Sequence, residues 1–443
     1  MKILKVIHGY PYRYNAGSEV YSQTLCHELD RLHHKVVVFS REENCYKQEY
    51  SVNWETDPQV SSIRLCLINM AHGKDGYQHP AVDHVFSHLI DQFHPDVVHI
   101  GHLNHLSTSV IREAHRRQIP IVFTLHDFWL MCPRGQFLQG INSKSENLYP
   151  ICDSQEDKKC AKECYWRYFG SQESCEDLTY WTNWVKRRMD HIREMASMVD
   201  LYISPSKYLM DRFINEFGMD SSKMVYLDYG FHLKRLEGRK RETEDSFVFG
   251  YIGTHKQAKG IHLLIEAFSQ ISKKARLRIW GSPLPPFTQS LQSFVKALGM
   301  EERVEWRGGY RNEKIVDDVF NHVDAIVVPS IWGENSPLVI HEALEAKVPI
   351  ITADFGGMKE YVHHELNGLL FQHRNPQSLA EQMDRLLGDP ALGHKISMKG
   401  YLQSPDGHIP NIEDHTKAIL DLYKSILTKK NKHDKSRSLA NHI

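Results

Sequence analysis

Two glutamates stand eight positions apart in the stretch Trp332-Gly333-Glu334-Asn335-Ser336-Pro337-Leu338-Val339-Ile340-His341-Glu342-Ala343-Leu344. Ser336 suits an N-cap and Pro337 a first helical position, so a helix is expected from there through Leu344. Glu334 then lies on the loop ahead of the helix. Glu342 falls more than one turn inside it, among Leu338, Val339, Ala343 and Leu344, where an ionised carboxylate is costly unless something satisfies it. A pair of sugar hydroxyls would do so. Exposed backbone amides at the helix start, aided by the dipole, favour a phosphate. The plain alternative is two surface acids on an amphipathic helix, and the rest of the chain must decide between them.

Four further motifs are placed where a ligand could be met. After the first expected strand comes Pro11-Tyr12-Arg13-Tyr14-Asn15-Ala16-Gly17-Ser18-Glu19, where Gly17 would let backbone amides approach a phosphate. His126, in Thr124-Leu125-His126-Asp127, stands at the carboxyl end of a strand, where open parallel sheets bind ligands. With 28 histidines in the chain, position alone singles it out. Lys259, in Gly253-Thr254-His255-Lys256-Gln257-Ala258-Lys259-Gly260, could neutralise a diphosphate at another strand-to-helix turn. Ala353-Asp354-Phe355-Gly356-Gly357 repeats that arrangement and offers one more backbone approach to a ligand. Each of these could instead be an ordinary turn, a structural histidine or a solvated lysine.

Five of the eight cysteines crowd one segment, roughly 132–176, that fits neither strand nor helix periodicity. Cys132, Cys152, Cys160 and Cys164 could supply four thiolates to one structural zinc, with Cys175 as a substitute ligand. Free thiols are the alternative, and an iron-sulfur cluster a more distant one. Near this insertion Tyr165, Trp166, Tyr168, Phe169, Tyr180, Trp181 and Trp184 lie close to Lys186, Arg187, Arg188 and Arg193. Aromatic and basic residues together suit a membrane interface, although the same pattern fits a helix whose aromatics pack inward.

These motifs need rigid elements behind them. Apolar runs alternate with helical patterns in two series. The first comprises Ile3 to His8, Lys35 to Ser40, Asp96 to Ile100, Pro120 to Leu125, Leu201 to Ser204 and Met224 to Leu227. The second comprises Phe247 to Ile252, Leu277 to Trp280, Val304 to Trp306, Ala325 to Pro329 and Pro349 to Ala353. Strands without polar alternation, separated by helices, imply α/β architecture with parallel sheets covered on both faces, hence two doubly wound domains. The charged stretch Lys234 to Asp245 has little to bury and places the boundary, with domains at 1–240 and 246–412. An amphipathic helix follows over 413–428, and 429–443 reads as a flexible tail.

At 443 residues and a formal net charge of −1, the chain offers no general argument for nucleic acid or membrane binding. Its apolar start is too short for a signal peptide and no run approaches a membrane span, so a cytoplasmic protein is expected, with a place at the inner face of the membrane left open.

In this order the pieces resemble the family 4 glycosyltransferases over roughly residues 1–428. The most specific part is Pro329-Ser330 followed by Glu334 and Glu342, then Gly356-Gly357 with Glu360. The resemblance implies a GT-B fold, with two Rossmann-like domains facing across a cleft, and a retaining transfer from a nucleoside-diphosphate sugar to a saccharide or lipid-linked acceptor. It implies that Glu342 binds the ribose hydroxyls, while Glu334 and the backbone of Asn335, Ser336, Pro337 and Leu338 face the donor sugar. Lys259 would meet the diphosphate, Gly17 would admit it, and His126 would lie near the transferred sugar. No cofactor is implied for catalysis, so the zinc would be structural only. Two departures stand out: Thr254 replaces a common arginine, and the first-domain glycine pair is Ala16-Gly17. A sugar-nucleotide epimerase or hydrolase of the same fold, or a non-catalytic metal-stabilised adaptor, are the competing readings.

Overall fold

The structure is a computed structural model in which residues 1–71, 76–140, 149–165, 175–242, 244–272 and 274–440 are described, the side chains of 431–440 excepted. It divides into two compact units, Met1–Gly230 with Ile412–Ile443, and Phe231–Asn411.

Eight strands form the sheet of the first unit: β1 Lys2–Val6, β2 Lys35–Glu42, β3 Val52–Thr56, β4 Arg64–Asn69, β5 Val97–Ile100, β6 Ile121–Thr124, β7 Leu201–Ser204 and β8 Met224–Tyr226. Their order is β3-β4-β2-β1-β5-β6-β7-β8, and only the β3–β4 pair is antiparallel. Central strands are apolar on both faces, as Ile3, Leu4, Val6, Val97, Val98, Ile121 and Val122 show by their burial. Chain order reverses between β1 and β5, which makes that gap the topological switch point.

The second unit carries six parallel strands: β9 Phe247–Ile252, β10 Ala275–Trp280, β11 Val304–Gly308, β12 Ala325–Val328, β13 Ile350–Ala353 and β14 Leu369–Phe371. Their order is β11-β10-β9-β12-β13-β14, with the reversal between β9 and β12. The turn after β9 leads to Lys259 and the loop after β12 carries Ser330 to Glu334.

Several outlines differ from the sequence-based expectation. Strands β3, β4 and β14 were not expected. Val-Asn-Trp-Glu-Thr of β3 is an edge strand of mixed exposure with no continuous apolar run, and β14 is only three residues long. The boundary falls at Gly230/Phe231, ahead of the charged stretch, because Arg239 and Arg241 bind into the second unit: Arg239 Nη2 donates to Val323 O at 2.8 Å, and Arg241 pairs with Asp324. The last helix, Ile412–Ala440, extends through most of the expected tail and belongs to the first unit; residues 441–443 lie outside the described residues. Ile419, Tyr423 and Ile426 recur at helical spacing and are buried. Tyr423 Oη lies 2.6 Å from His99 Nδ1, and Tyr21 Oη 2.9 Å from His415 Nε2. Among the described residues no helix is long and apolar enough to cross a membrane.

Candidate functional site

In the second unit, β12 ends at Val328 and the chain turns through Ser330 to a loop that buries Glu334, Asn335 and Ser336. Glu334 Oε1 accepts three hydrogen bonds: from Ser330 Oγ at 2.6 Å, Trp332 Nε1 at 2.9 Å and Lys259 Nζ at 2.7 Å. These donors all converge on one oxygen, so the carboxylate is oriented as well as satisfied. Lys259 reaches it because the turn Gln257–Lys259 packs directly on the loop. Gly260 has φ +71°, and a Cβ there would lie 1.9 Å from Pro329 O, which leaves glycine as the residue that fits. Ile331 N donates to Ala258 O at 2.9 Å across the same contact.

Gly356 and Gly357 serve the same loop. A Cβ on Gly357 would fall 1.5 Å from Asn335 O, and Gly357 N donates to Glu334 O at 2.7 Å. The close backbone approach expected of this pair is therefore made to the protein's own Glu334 loop.

The helix after the loop runs Leu338–Glu345, with Pro337 as its N-cap in extended geometry and no side-chain cap. Ser336 is thus not the cap expected from sequence; it precedes it, because Pro337 at ψ 116° is still outside the helix and its carbonyl takes the first bond, from Ile340 N. Glu342 is buried one turn in, as expected. Its Oε1 accepts from Arg235 Nη2, and Arg235 Nη1 donates to Asn312 O at 2.8 Å. Oε2 of Glu342 accepts no hydrogen bond among the described residues. The Tyr310 phenol is raised by burial and, after that, by the nearby Glu342 charge. Arg235 and Tyr310 are site residues that sequence reasoning missed. Arg235 sits in the charged stretch taken as a linker, where nothing local separates it from its neighbours.

The first unit assembles a different centre. His8, His102 and His126 each stand two residues beyond the end of β1, β5 and β6, three strands adjacent in the sheet. His8 and His102 flank the switch point with ring centroids 4.5 Å apart. His8 Nε2 lies 3.2 Å from Glu19 Oε1, and His102 Nε2 3.2 Å from Asp127 Oδ1. Burial alone would raise the Glu19 carboxyl, but hydrogen bonds from His8 and Ser18 bring it down to about 2. Burial, then the neighbouring His102, pushes the His8 imidazole below its ordinary value, so at neutral pH the pair is a carboxylate beside a neutral ring. His126, expected at a ligand-facing strand end, sits 2.6 Å from Tyr229 Oη through Nδ1 and stacks on that ring at 20°. Burial, then Lys5, pushes His126 well down, leaving it neutral. Gly17 opens the helix Gly17–Arg31 and is exposed; the first turn behind it carries the buried Glu19. The signal missed here was the shared offset of His8 and His102 from their strand ends.

Cys132, Cys152, Cys160 and Cys164 are all buried and all free. Among the described residues no group of three or more histidine, cysteine, aspartate or glutamate side chains is arranged to hold a metal ion, so the four-thiolate site expected from sequence is not found. Cys160 joins Val185 and Met189 in a small core, and Cys152 Sγ donates to Ser154 O at 3.0 Å. Burial pushes the Cys160 thiol up to about 12 and Cys164 up to about 11, with the neighbouring sulfurs adding to both. Cys175 is exposed. Of the aromatic and basic set, Trp166, Tyr168 and Phe169 lie outside the described residues. Trp181 and Trp184 pack on Tyr165 at 5.1 Å each, and the buried Arg188 donates to Trp129 O at 2.8 Å, whereas Tyr180 is exposed.

Comparison with known proteins adds an independent line. Residues 234–403 match the family described as glycosyl transferases group 1, and residues 16–235 match glycosyltransferase family 4. An uncharacterized glycosyltransferase of Methanocaldococcus jannaschii is 30% identical over 148 residues, which cover 33% of this chain and 37% of that protein. A putative glycosyltransferase of Bacillus subtilis is 27% identical over 272 residues, covering 54% of this chain and 64% of that one. The chain thus spans between about two fifths and two thirds of the length of these curated relatives. Anabaena HepE, solved with UDP and glucose, aligns with a TM-score of 0.67 at 17% identity, covering 96% of this chain and 100% of that one. Sucrose-phosphate synthase from Thermosynechococcus elongatus aligns with a TM-score of 0.63 at 17% identity, covering 99% of both chains. At that identity the two structures speak to the fold.

Proposed function

The chain belongs to family 4 of the glycosyltransferases and has their GT-B fold of two Rossmann-like domains, and on that premise we propose that it moves a sugar from a nucleoside diphosphate to a saccharide or lipid-linked acceptor with retention of anomeric configuration. The observation that carries the reading is the pair of buried glutamates at the carboxyl end of β12, each with Oε1 held by protein donors. A carboxylate held in that way presents its second oxygen to a hydroxyl at little reorganisation cost.

In this reading Glu342 takes a ribose hydroxyl and Glu334 a hydroxyl of the donor sugar. Lys259 has three donors, of which Glu334 uses one, so the same ammonium can meet the diphosphate. Departure of the diphosphate builds negative charge on its oxygens, and Lys259 with the backbone amides of Asn335, Ser336 and Leu338 stabilises that charge more than the ground state. The sugar, oxocarbenium-like at that point, is attacked on the face the leaving group departs from. The solved relative containing UDP and glucose supports a nucleotide-sugar donor.

Melting the protein against UDP, GDP, ADP and their sugars tests the donor class, because a ligand that binds only the folded state raises the midpoint. Glu342→Ala is expected to weaken the stabilising nucleotide roughly tenfold to a hundredfold, the worth of a hydrogen bond to a charged group. Glu334→Ala should lower transfer more than nucleotide affinity. If both variants bind and turn over like the parent, the reading is overturned.

A further inference from the structure

We infer that Arg235 is a positioning residue that makes Glu342 a reader of the ribose, so that this enzyme's preference for ribonucleotide over deoxyribonucleotide diphosphates depends on an arginine contributed by the very start of the second unit. The inference rests on the assignment of Glu342 to the ribose given above.

Glu342 lies inside the helix Leu338–Glu345 with Ile340, Ala343 and Leu344, all fully buried. A carboxylate so placed protonates or turns outward unless a cation holds it. Arg235 is that cation. It stands on the short turn Leu233–Leu236, and its Nη2 donates to Glu342 Oε1 while its Nη1 donates to Asn312 O at 2.8 Å. Asn312 opens the turn Asn312–Lys314 beyond β11. One guanidinium therefore ties three separate segments around one carboxylate. The planar fork matters, because two donors at a fixed angle set the direction from which Oε1 is held and hence where Oε2 faces. Only Oε1 is engaged among the described residues, which leaves Oε2 to accept from a hydroxyl. Lysine could neutralise Glu342, but a single ammonium cannot reproduce both contacts in that plane.

A residue that merely stabilised the fold would weaken every nucleotide alike. A residue that aims Glu342 at the ribose changes the ratio between nucleotides that have the hydroxyl and those that lack it. The test uses the full chain and whichever of UDP, GDP and ADP raises its melting point most, together with the 2′-deoxy and 3′-deoxy forms of that nucleotide. Affinities are measured by calorimetry for the parent, Arg235→Met, Arg235→Lys and Glu342→Gln. The parent should prefer the ribonucleotide over at least one deoxy form by about tenfold or more. In Arg235→Met that ratio should fall toward one, as in Glu342→Gln, and Arg235→Lys should fall between parent and Arg235→Met. If Arg235→Met does not fold, Arg235→Lys carries the test alone. Parental ratios in the folded arginine variants, with the ratio lost in Glu342→Gln, overturn the inference and leave the ribose assignment standing. A parental ratio in Glu342→Gln, or a parent that binds none of the three diphosphates, overturns the assignment itself and the inference with it.

Discussion

The polar centre of the second unit is one covalent stretch, Ser330 to Glu342, joined by Lys259 and Arg235, whereas that of the first unit is drawn from the ends of three strands far apart in sequence, at His8, His102 and His126. They also handle charge in opposite ways. Glu334 and Glu342 are buried and matched by cationic donors. Most of the first unit's interior histidines are instead pushed toward the neutral form by burial, as at His8, His99, His126 and His415. In the second unit each buried carboxylate faces a cationic donor, whereas in the first the buried Glu19 carboxylate faces the neutral His8 ring.

The sharpest way to break this contrast is at Glu334. Glu334→Gln keeps the shape but removes the charge that Lys259 and Trp332 answer, and transfer should fall by about a thousandfold, with nucleotide affinity within about threefold. Rates and calorimetry together check it. A parental rate would mean that the matched charge is structural only.

A second test compares the scaffolds. Gly357→Ala drives a methyl into Asn335 O, backbone that cannot yield, and should destabilise the protein by about 3 kcal/mol in urea melts. Gly101→Ala, next to β5 in the first unit, meets the Cδ1 of Ile7, a movable side-chain end, and should cost about 1 kcal/mol. Equal costs would remove the distinction between a packed backbone loop and a side-chain-lined strand end.

Acidity provides the third. His415 is lowered from 6.5 to about 4 by burial, so between those pH values the unfolded chain binds more protons than the folded one, and stability falls as pH falls. His191, also lowered to about 4 by burial, contributes in the same window. Each should account for on the order of 2 kcal/mol lost by pH 4. His415→Gln should flatten the dependence of the melting point on pH between 6.5 and 4. An unchanged slope would place the acid sensitivity elsewhere.

A fourth test is at Lys5, whose buried ammonium has no hydrogen-bond partner among the described residues and is lowered to about 8 by burial. Between pH 8 and 10.5 the unfolded chain again binds more protons, so this group's contribution favours the fold increasingly as pH rises through that window, and at neutral pH it costs stability. Lys5→Met should therefore raise stability by about 1 to 2 kcal/mol at pH 7 and remove that dependence. A loss of stability at pH 7 would show that the ammonium is satisfied after all.

Much of the fold is legible in the sequence. The alternation of apolar runs and helical patterns identified eleven of the strands, because buried parallel strands carry unbroken apolar sequence. The edge strand β3 and the short β14 carry too little of it. Glu334 and Glu342 could be paired on sequence grounds because loop and helix hold them in one segment. Arg235 could not, since its partners Asn312 and Glu342 are distant in sequence and its neighbours are equally charged. The cysteines crowd in sequence, yet among the described residues they form no arrangement that would hold a metal ion, and Cys160 packs with Val185 and Met189.

Sequence alone determined the two α/β domains, the loop and helix that carry the paired glutamates, and the strand end that carries His126, because these follow from periodicity and local chain geometry. Only the tertiary structure decided which oxygen of each glutamate is held, that Gly356 and Gly357 buttress the Glu334 loop, that the last helix returns to the first unit, and that His8 and His102 join His126 on neighbouring strands. Those facts depend on sheet order and on contacts between distant segments, and local sequence carries no record of either.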